Sequence, residues 1–510
     1  MGDLRKRRQE VSAFLGIDAG NTGVKAVLFD DAGRTMASAH RDTGGHSPAP
    51  GMVERDIGRL RTDLDELVRE LLGKSGLKGS DIAGIGTSGH GNGLYLLDDT
   101  GEPVAAIQSL DTRAAGLVED WNGRGVAATA QAICLQRPWA AQTPALLAWM
   151  AAHRPETMAR AAHLLMCKDL VTHALTGEMA GDVSDMGGAG LLRLPDIAYD
   201  DALLQAYGLE EAKGLLPKLH WPTDVVGSVT EAAAGRTGLA AGTPVVAGFF
   251  DVLASAVGAG VTKPGQASLI LGTWSINQAV VETPAEGVFM SAPLAPGRFM
   301  SMENSATSAT NLEWLAHNLL AHDRRSEKGP FALADALASM APPKPDGPLY
   351  HPYLYGASGD ASARAGWFGL AGWHDGADML RALFEGVAFA HLAHIEQLEA
   401  RGVDAGDITL SGGGAKSPLW PQMIADMRGR PVKVAAQAET GALGAAMAAV
   451  VGTGRYRDID KAAEAMVAPP AIVTPNPGLK DFYQRRFALW RAVEASLSPH
   501  WAALRTLGDG

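Results

Sequence analysis

The strongest constraint on this chain is a grammar that it uses twice: an apolar run, a polar glycine turn, and an apolar return. In the first copy, residues 11–18 turn through Ala19-Gly20-Asn21-Thr22-Gly23 into residues 24–29, and Asp30-Asp31-Ala32-Gly33 turns again before residues 35–39. In the second, residues 266–271 turn through Gly272-Thr273-Trp274-Ser275 into residues 276–281. Short apolar runs joined by such turns are antiparallel strand returns. A plan stated once in each half predicts two domains of one design, with the two polar turns facing each other across a cleft. A chain of 510 residues also exceeds what one hydrophobic core usually fills. The expected division is 11–255 and 256–497.

Between the strands run helical patterns. Residues 57–72, 144–153, 161–175, 376–400, 440–450 and 479–497 have helical spacing, with Gly452 placed to cap the fifth. Strand candidates fall at 82–86, 93–97, 244–248 and 408–410. Alternation of this kind is α/β. Residues 177–216 read as loop-rich with short apolar pieces, an insertion or lid rather than sheet.

Composition removes several function classes. A formal charge of -12 gives no drive toward nucleic acid or an anionic membrane, so no nucleic-acid or membrane partner is expected. The basic head Arg5-Lys6-Arg7-Arg8 is not continued by further basic residues and reads as a solvated terminus. No apolar stretch approaches the length of a membrane span, and the first apolar run is too short for a secretion signal, so a cytoplasmic protein is expected. Two cysteines, Cys134 and Cys167, support neither a disulfide scaffold nor a thiolate metal site.

Two familiar motifs fail their context. Gly84-Ile85-Gly86-Thr87-Ser88-Gly89 satisfies a bare dinucleotide pattern, but its glycines lie inside a strand candidate rather than in a turn opening a helix. Gly73-Lys74-Ser75 resembles the end of a P-loop, yet Val68 stands where the first glycine belongs and a helix precedes it.

The remaining polar residues form a constellation suited to phosphate and to an alcohol. Asp18 ends a strand and enters the Gly20–Gly23 turn, with Asn21 and Thr22 in it and Lys25 beyond. Backbone donors of such a turn face phosphate oxygens, and a carboxylate at the strand end can hold magnesium through water; the same place suits a turn acceptor. Gly272 and Thr273 supply the equivalent turn in the second half. Ser411-Gly412-Gly413-Gly414-Ala415-Lys416-Ser417 follows a strand and precedes a helix, where nucleotide atoms can approach backbone without Cβ interference. Asp251 ends an apolar strand at a strand-to-helix junction, able to take the proton of a hydroxyl or to cap the helix. Asp111 and Arg113 bring an acceptor and a donor fork suited to polyhydroxylated ligands, or to a salt bridge, and His90 stands between Gly89 and Gly91.

Taken in order, these segments resemble the FGGY family of carbohydrate kinases, within the actin/Hsp70/hexokinase-like (ribonuclease H-like) fold group. Residues 17–25, Asp111-Thr112-Arg113, Gly248-Phe249-Phe250-Asp251, Gly272-Thr273-Trp274, the 411–417 loop and Glu439-Thr440-Gly441-Ala442-Leu443-Gly444-Ala445-Ala446 carry the likeness. The resemblance implies duplicated α/β domains with an interdomain active-site cleft, ATP and Mg2+, and Asp251 as general base. It makes Asp18 and Asp251 the metal carboxylates. His90, Asp111, Arg113 and Asp251 face the sugar, and Asn21, Thr22, Lys25, Gly272, Thr273, Gly412, Gly413, Gly414 and Ala415 face the nucleotide. Positions 439–446 become a helix lead near the nucleotide domain. Residues 84–98, 139–149, Phe250-Asp251-Val252 and 303–314 are similar to bacterial L-xylulose or 3-keto-L-gulonate kinases, with erythritol, threitol and other pentulose or polyol kinases close behind. Val252 and the His90-Gly91 pair depart from the D-xylulose kinase pattern. A nucleotide-dependent binding module of the actin/Hsp70 kind is the non-enzyme rival, against which an intact Asp251 counts. A homodimer is the background expectation for such an enzyme.

Overall fold

The computed structural model describes residues 12–320, 328–357, 360 and 362–506; the basic head at 5–8 lies outside them. The chain forms two compact units. The first takes its residues from 1–264, 280–301 and 439–468, and the second from 265–279, 302–438 and 469–510. Among the described residues no helix is long and apolar enough to cross a membrane.

The first unit is built on a sheet of β1 (Ala13–Ala19), β2 (Gly23–Asp30), β3 (Thr35–Asp42), β4 (Ile82–Gly89), β5 (Val225–Ser228), β6 (Pro244–Val246) and β7 (Phe249–Phe250). Their order is β5-β6-β4-β1-β2-β3, with β7 also beside β4. The meander read from the sequence is real: β1 and β2 pair antiparallel with Asp18 opposite Lys25, and β2 pairs antiparallel with β3. β4 then runs parallel to β1, placing Asp18 beside Ser88. Such a parallel step needs a crossover, here supplied by the helix Ile57–Ser75. Asp56 caps that helix by accepting from the Arg59 amide, and Gly76 closes it in the left-handed region at φ 68°. Its buried stripe, Ile57, Leu60, Leu64, Leu67, Val68 and Leu71, packs into one core with β1, β2 and β4. Both rejected motifs are thereby explained, since residues 84–89 are strand and Gly73-Lys74-Ser75 is the last turn of this helix.

The helix Thr440–Gly452, late in the sequence, packs in this first unit. It approaches the sheet closely enough that glycine is required opposite it. A Cβ on Gly16 would lie 1.9 Å from the Ala442 carbonyl oxygen, and one on Gly86 would lie 1.8 Å from that of Ala445. Gly452 is its last helical residue and Thr453 the cap.

Two segments differ from the reading of the sequence. Residues 161–175 are a short strand, His163–Leu165, followed by the helix Cys167–Thr176; the three extended residues pair with Tyr95, Leu96 and Leu97, and pairing overrides helical spacing. Residues 177–216 are not an open loop. They hold the helices Val183–Gly188 and Asp201–Tyr207 and short paired strands. Met186, Ala189, Leu191, Leu192, Leu203 and Leu204 are buried in a second core with Leu94, Leu96, Trp121 and Leu146.

The second unit restates the plan. β8 (Gln266–Leu271) and β9 (Ser275–Val281) pair antiparallel from Leu271–Ser275 outward, and β10 (Asp407–Ser411) runs parallel to β8. The sheet continues through β11 (Val432–Val434) to β12 (Ala471–Val473). The long helix Gly376–Glu399 opens with a capping box between Asp375 and Asp378 and is buried along most of its length. A hairpin joined by a parallel third strand in each unit is the duplicated ribonuclease H-like, actin/hexokinase-like fold that the sequence led us to expect.

Candidate active site

Three neighbouring strand ends of the first unit converge on two carboxylates. Asp18 stands at the end of β1 and accepts a 2.8 Å hydrogen bond on Oδ1 from Ser88 Oγ of β4. On the other side of β4, Phe249 and Phe250 pair with Ser88 and Gly89, so Asp251, which begins the helix Asp251–Gly258, emerges across β4 from Asp18. Burial pushes the Asp251 carboxyl up to about 7, and the charge of Asp18 adds to the shift. Burial also raises Asp18, opposed by the Ser88 hydrogen bond and by Lys25. Two carboxylates that discourage each other's ionisation are the arrangement from which a base working near neutral pH is made. Lys25 itself pairs with Glu439 at 2.9 Å. Gly441, two residues on, is close enough that a Cβ there would meet Asp18 Oδ2 at 2.7 Å.

The turn after Asp18 is gripped from behind. Arg55 Nη2 donates to the carbonyls of Gly20 at 2.6 Å, Asn21 at 3.1 Å and Thr43 at 3.3 Å, while its Nη1 donates to Cys167 Sγ at 3.0 Å. Gln108 Nε2 donates to the Asn21 carbonyl at 2.8 Å. Because a trans peptide is planar with N–H opposite C=O, pinning these carbonyls aims the Asn21 and Thr22 amides away from Arg55. Neither amide donates to protein among the described residues. The Asn21 side chain is committed instead to Ser109 Oγ at 3.0 Å.

Of the other residues read as sugar-facing, Asp111 and Arg113 hold each other, and His90 is held by different partners. His90 is buried, with Nε2 2.7 Å from the Tyr95 hydroxyl and Nδ1 3.2 Å from Ser109 Oγ. Burial, and Arg55 beside it, lower its pKa to about 3, so the ring is neutral. Asp111 and Arg113 form a bidentate pair, with Arg113 Nη2 also 2.8 Å from Glu54. Asp111 Oδ2 accepts from the Val53 amide at 2.7 Å. Their bonds fasten the 53–55 segment that carries Arg55.

In the second unit, Gly272 and Thr273 form the turn between β8 and β9. The Thr273 carbonyl accepts from the Ser308 amide and Thr310 Oγ1, both at 3.1 Å, and the Gly272 carbonyl accepts from the Ala309 amide at 3.0 Å. Behind them His391 places Nε2 2.8 Å from Ser308 Oγ and Nδ1 2.7 Å from Asn277 Oδ1. Burial lowers its pKa to about 3. The glycine loop belongs to the same edge. Gly412 has φ 85°, and Cβ atoms on Gly412 and Gly414 would both fall within 3.0 Å of the Leu271 carbonyl oxygen, one residue before the turn. Gly413–Lys416 is a single tight turn leading to the helix Leu419–Arg428. Gly272, Thr273 and Gly412–Ala415 are therefore neighbours.

Sequence reasoning missed Arg55, Gln108, Ser88 and Glu439. Their partners lie 12 to 414 residues away, and no local pattern announces such pairings.

The FGGY family of carbohydrate kinases matches this chain over both of its parts, the N-terminal domain across residues 13–258 and the C-terminal domain across 267–453. The chain belongs to the FGGY family. L-xylulose/3-keto-L-gulonate kinase of Escherichia coli (strain K12) is 32% identical, with 96% of this chain and 98% of that protein aligned. Autoinducer-2 kinase of Klebsiella pneumoniae is 30% identical over 95% of this chain and 94% of its own. Among solved structures, xylulose kinase from Rhodospirillum rubrum superposes with a TM-score of 0.86 at 29% identity, covering 96% of this chain and all of the other. The protein is thus an enzyme of the ATP-dependent sugar and polyol kinase class, as the resemblance implied.

Proposed function

We propose that this kinase transfers the terminal phosphoryl group of ATP to a terminal hydroxyl of a small ketose or keto-acid sugar, L-xylulose or 3-keto-L-gulonate. The supporting observation is the Asp251 carboxyl, lifted to about 7 at the strand end beside Asp18. A base with a pKa near the working pH combines a useful ionised fraction with real basicity. Asp251 accepts the hydroxyl proton as the alcohol oxygen attacks phosphorus, and the bond from phosphorus to the bridging oxygen of ADP breaks. The amides of Asn21 and Thr22 offer donors to phosphate oxygens, and the turns at 272–273 and 412–415 hold nucleotide backbone-close. His90, Asp111 and Arg113 shape the sugar side, with His90 acting through Ser109 on Asn21.

The residues fit magnesium. Among the described residues no group of three or more His, Cys, Asp or Glu is placed to hold a metal, and Asp18 at its strand end would hold magnesium through water, leaving the Asp251 carboxylate free to take the proton. Magnesium typically binds through one or two carboxylates together with waters and substrate phosphates. When bound, it supplies positive charge to the phosphate oxygens.

The choice of sugar is supported by the name of a relative, L-xylulose/3-keto-L-gulonate kinase, that is 32% identical over 96% of this chain. The test is ADP release with ATP, magnesium and a panel of L-xylulose, 3-keto-L-gulonate, erythritol, threitol, L-ribulose and D-xylulose. Turnover on the first two is expected to exceed the others; a polyol as the best acceptor overturns the choice of sugar. Asp251→Asn should lower kcat by roughly 10²–10⁴-fold with folding retained. Near-parental turnover in that variant removes Asp251 as base.

A further inference from the structure

The Asp251 backbone is anchored on a side that the reaction scheme does not use. β7 is two residues long and pairs with β4 on one edge. On the other, the Phe250 amide donates to Ser184 Oγ at 3.0 Å. Ser184 Oγ in turn donates to Asp182 Oδ2 at 2.5 Å, and the Ser184 amide reaches the same oxygen at 2.7 Å. Asp182 is held by Lys168 Nζ at 2.9 Å. Lys168 is completely buried, and it also contacts Asp169 and, at 3.5 Å, Asp185. The Phe250 ring presses on the same segment, since Cβ atoms on Gly188 and Gly91 would meet it at 3.1 and 2.6 Å.

A buried ammonium facing three carboxylates is costly unless each contact is needed, and a two-residue strand holds its own direction poorly. The connection runs without a break from Lys168 through Asp182 and Ser184 to the Phe249–Phe250 peptide, one residue before Asp251. Ser184 is the only step in it that touches Phe250 through a side-chain hydrogen bond among the described residues.

We propose that Ser184, held by Asp182 and Lys168, is a positioning residue for Asp251: its hydroxyl fixes the Phe250 peptide and thereby the direction in which the Asp251 carboxylate leaves the strand. This rests on the reading of Asp251 as base. A hydroxyl is required because one oxygen must accept from the amide and donate to Asp182 at once, a double duty that threonine keeps and alanine loses.

The test compares Ser184→Ala, Ser184→Thr and Asp251→Asn in the full chain, with kcat and KM measured per folded molecule and thermal unfolding recorded alongside. Ser184→Ala should lose roughly 10–100-fold in kcat, the scale of a small misplacement of a reacting group, with KM for ATP within about twofold. Ser184→Thr should restore kcat to within about threefold of the parent. If Asp251→Asn is inactive while Ser184→Ala turns over at the parental rate, the positioning role is overturned and the base is not. If Ser184→Ala and Ser184→Thr lose activity equally, the role is one of packing and the proposal fails. If Asp251→Asn is active, the reading of the base fails first. Lys168→Met is unsuitable as the primary variant, since it strands three buried carboxylates without a counter-charge.

Discussion

The two hairpin turns of this chain share a topology and differ in what stands behind them. Behind Gly20 and Asn21 lies a buried guanidinium, with a carboxylate on the strand before the turn and the Lys25–Glu439 pair beyond it. Behind Gly272 and Thr273 lie backbone amides, a threonine hydroxyl and a histidine kept neutral by burial. Both devices immobilise the turn carbonyls, so both aim donors outward. Only the first brings ionisable groups into the strand ends where a proton must move. The second fixes geometry with neutral groups, which neither titrate near pH 7 nor compete with phosphate for counter-ions. On the proposed function, one fold plan, used twice, divides the labour between chemistry and grip.

That division can be broken most sharply at Gly441. Alanine there places a Cβ 2.7 Å from Asp18 Oδ2 and must displace the carboxylate, so Gly441→Ala should lower kcat roughly 10–100-fold while leaving nucleotide affinity near parental. Steady-state kinetics together with a nucleotide-binding titration check this; an unchanged kcat shows that Asp18 tolerates displacement.

Arg55→Met asks whether the charged backing is needed for the turn. It removes the donor to three carbonyls, and the unmade bonds should cost roughly 2–3 kcal/mol of stability. With the Asn21 and Thr22 amides no longer aimed, KM for ATP should rise about tenfold, equivalent to about 1.4 kcal/mol. Denaturant unfolding and kinetics read the two effects separately, and a parental KM in a destabilised variant reduces Arg55 to a packing role.

The neutral turn should be the more forgiving. Thr310→Val removes one of two hydrogen bonds to the Thr273 carbonyl, with an expected cost of about 1 kcal/mol. KM for ATP should rise only about threefold and kcat should stay put. The NMR ring signals of His391 should also be flat between pH 5 and 8, because His391, at about 3, is deprotonated throughout that range. A titration in that window contradicts the neutral assignment.

The strands of both hairpins were legible to within a residue or two, because alternating apolar runs broken by glycine turns are local signals. So was the strand-to-helix junction at Asp251. The helix Thr440–Gly452 was legible as a helix but not as a part of the first unit. Every residue from Thr440 to Val450 is buried, so the sequence shows no face and hence no direction in which to look for its partner. Residues 177–216 defeated the reading for the opposite reason: their elements are only two to seven residues long and owe their order to tertiary burial. At the site, Asp18, Asp251 and the glycine turns stood out by their junctions. Arg55 and Ser184 did not, since a lone arginine and a serine in Asp-Val-Ser-Asp look like surface and cap until their distant partners are in place.

The coupling of the two carboxylates is tested most directly by the pH dependence of kcat/KM for the sugar at saturating magnesium and ATP. On the proposed mechanism Asp251, raised above an ordinary carboxyl chiefly by burial, must be ionised to act, so the profile should fall as pH drops through that raised value and hold above it. Asp18→Asn removes one of the two causes of that rise, and the acid limb of its residual activity should move to lower pH. An acid limb at the usual carboxylate value in the parent, or one that stays in place in Asp18→Asn, contradicts the account.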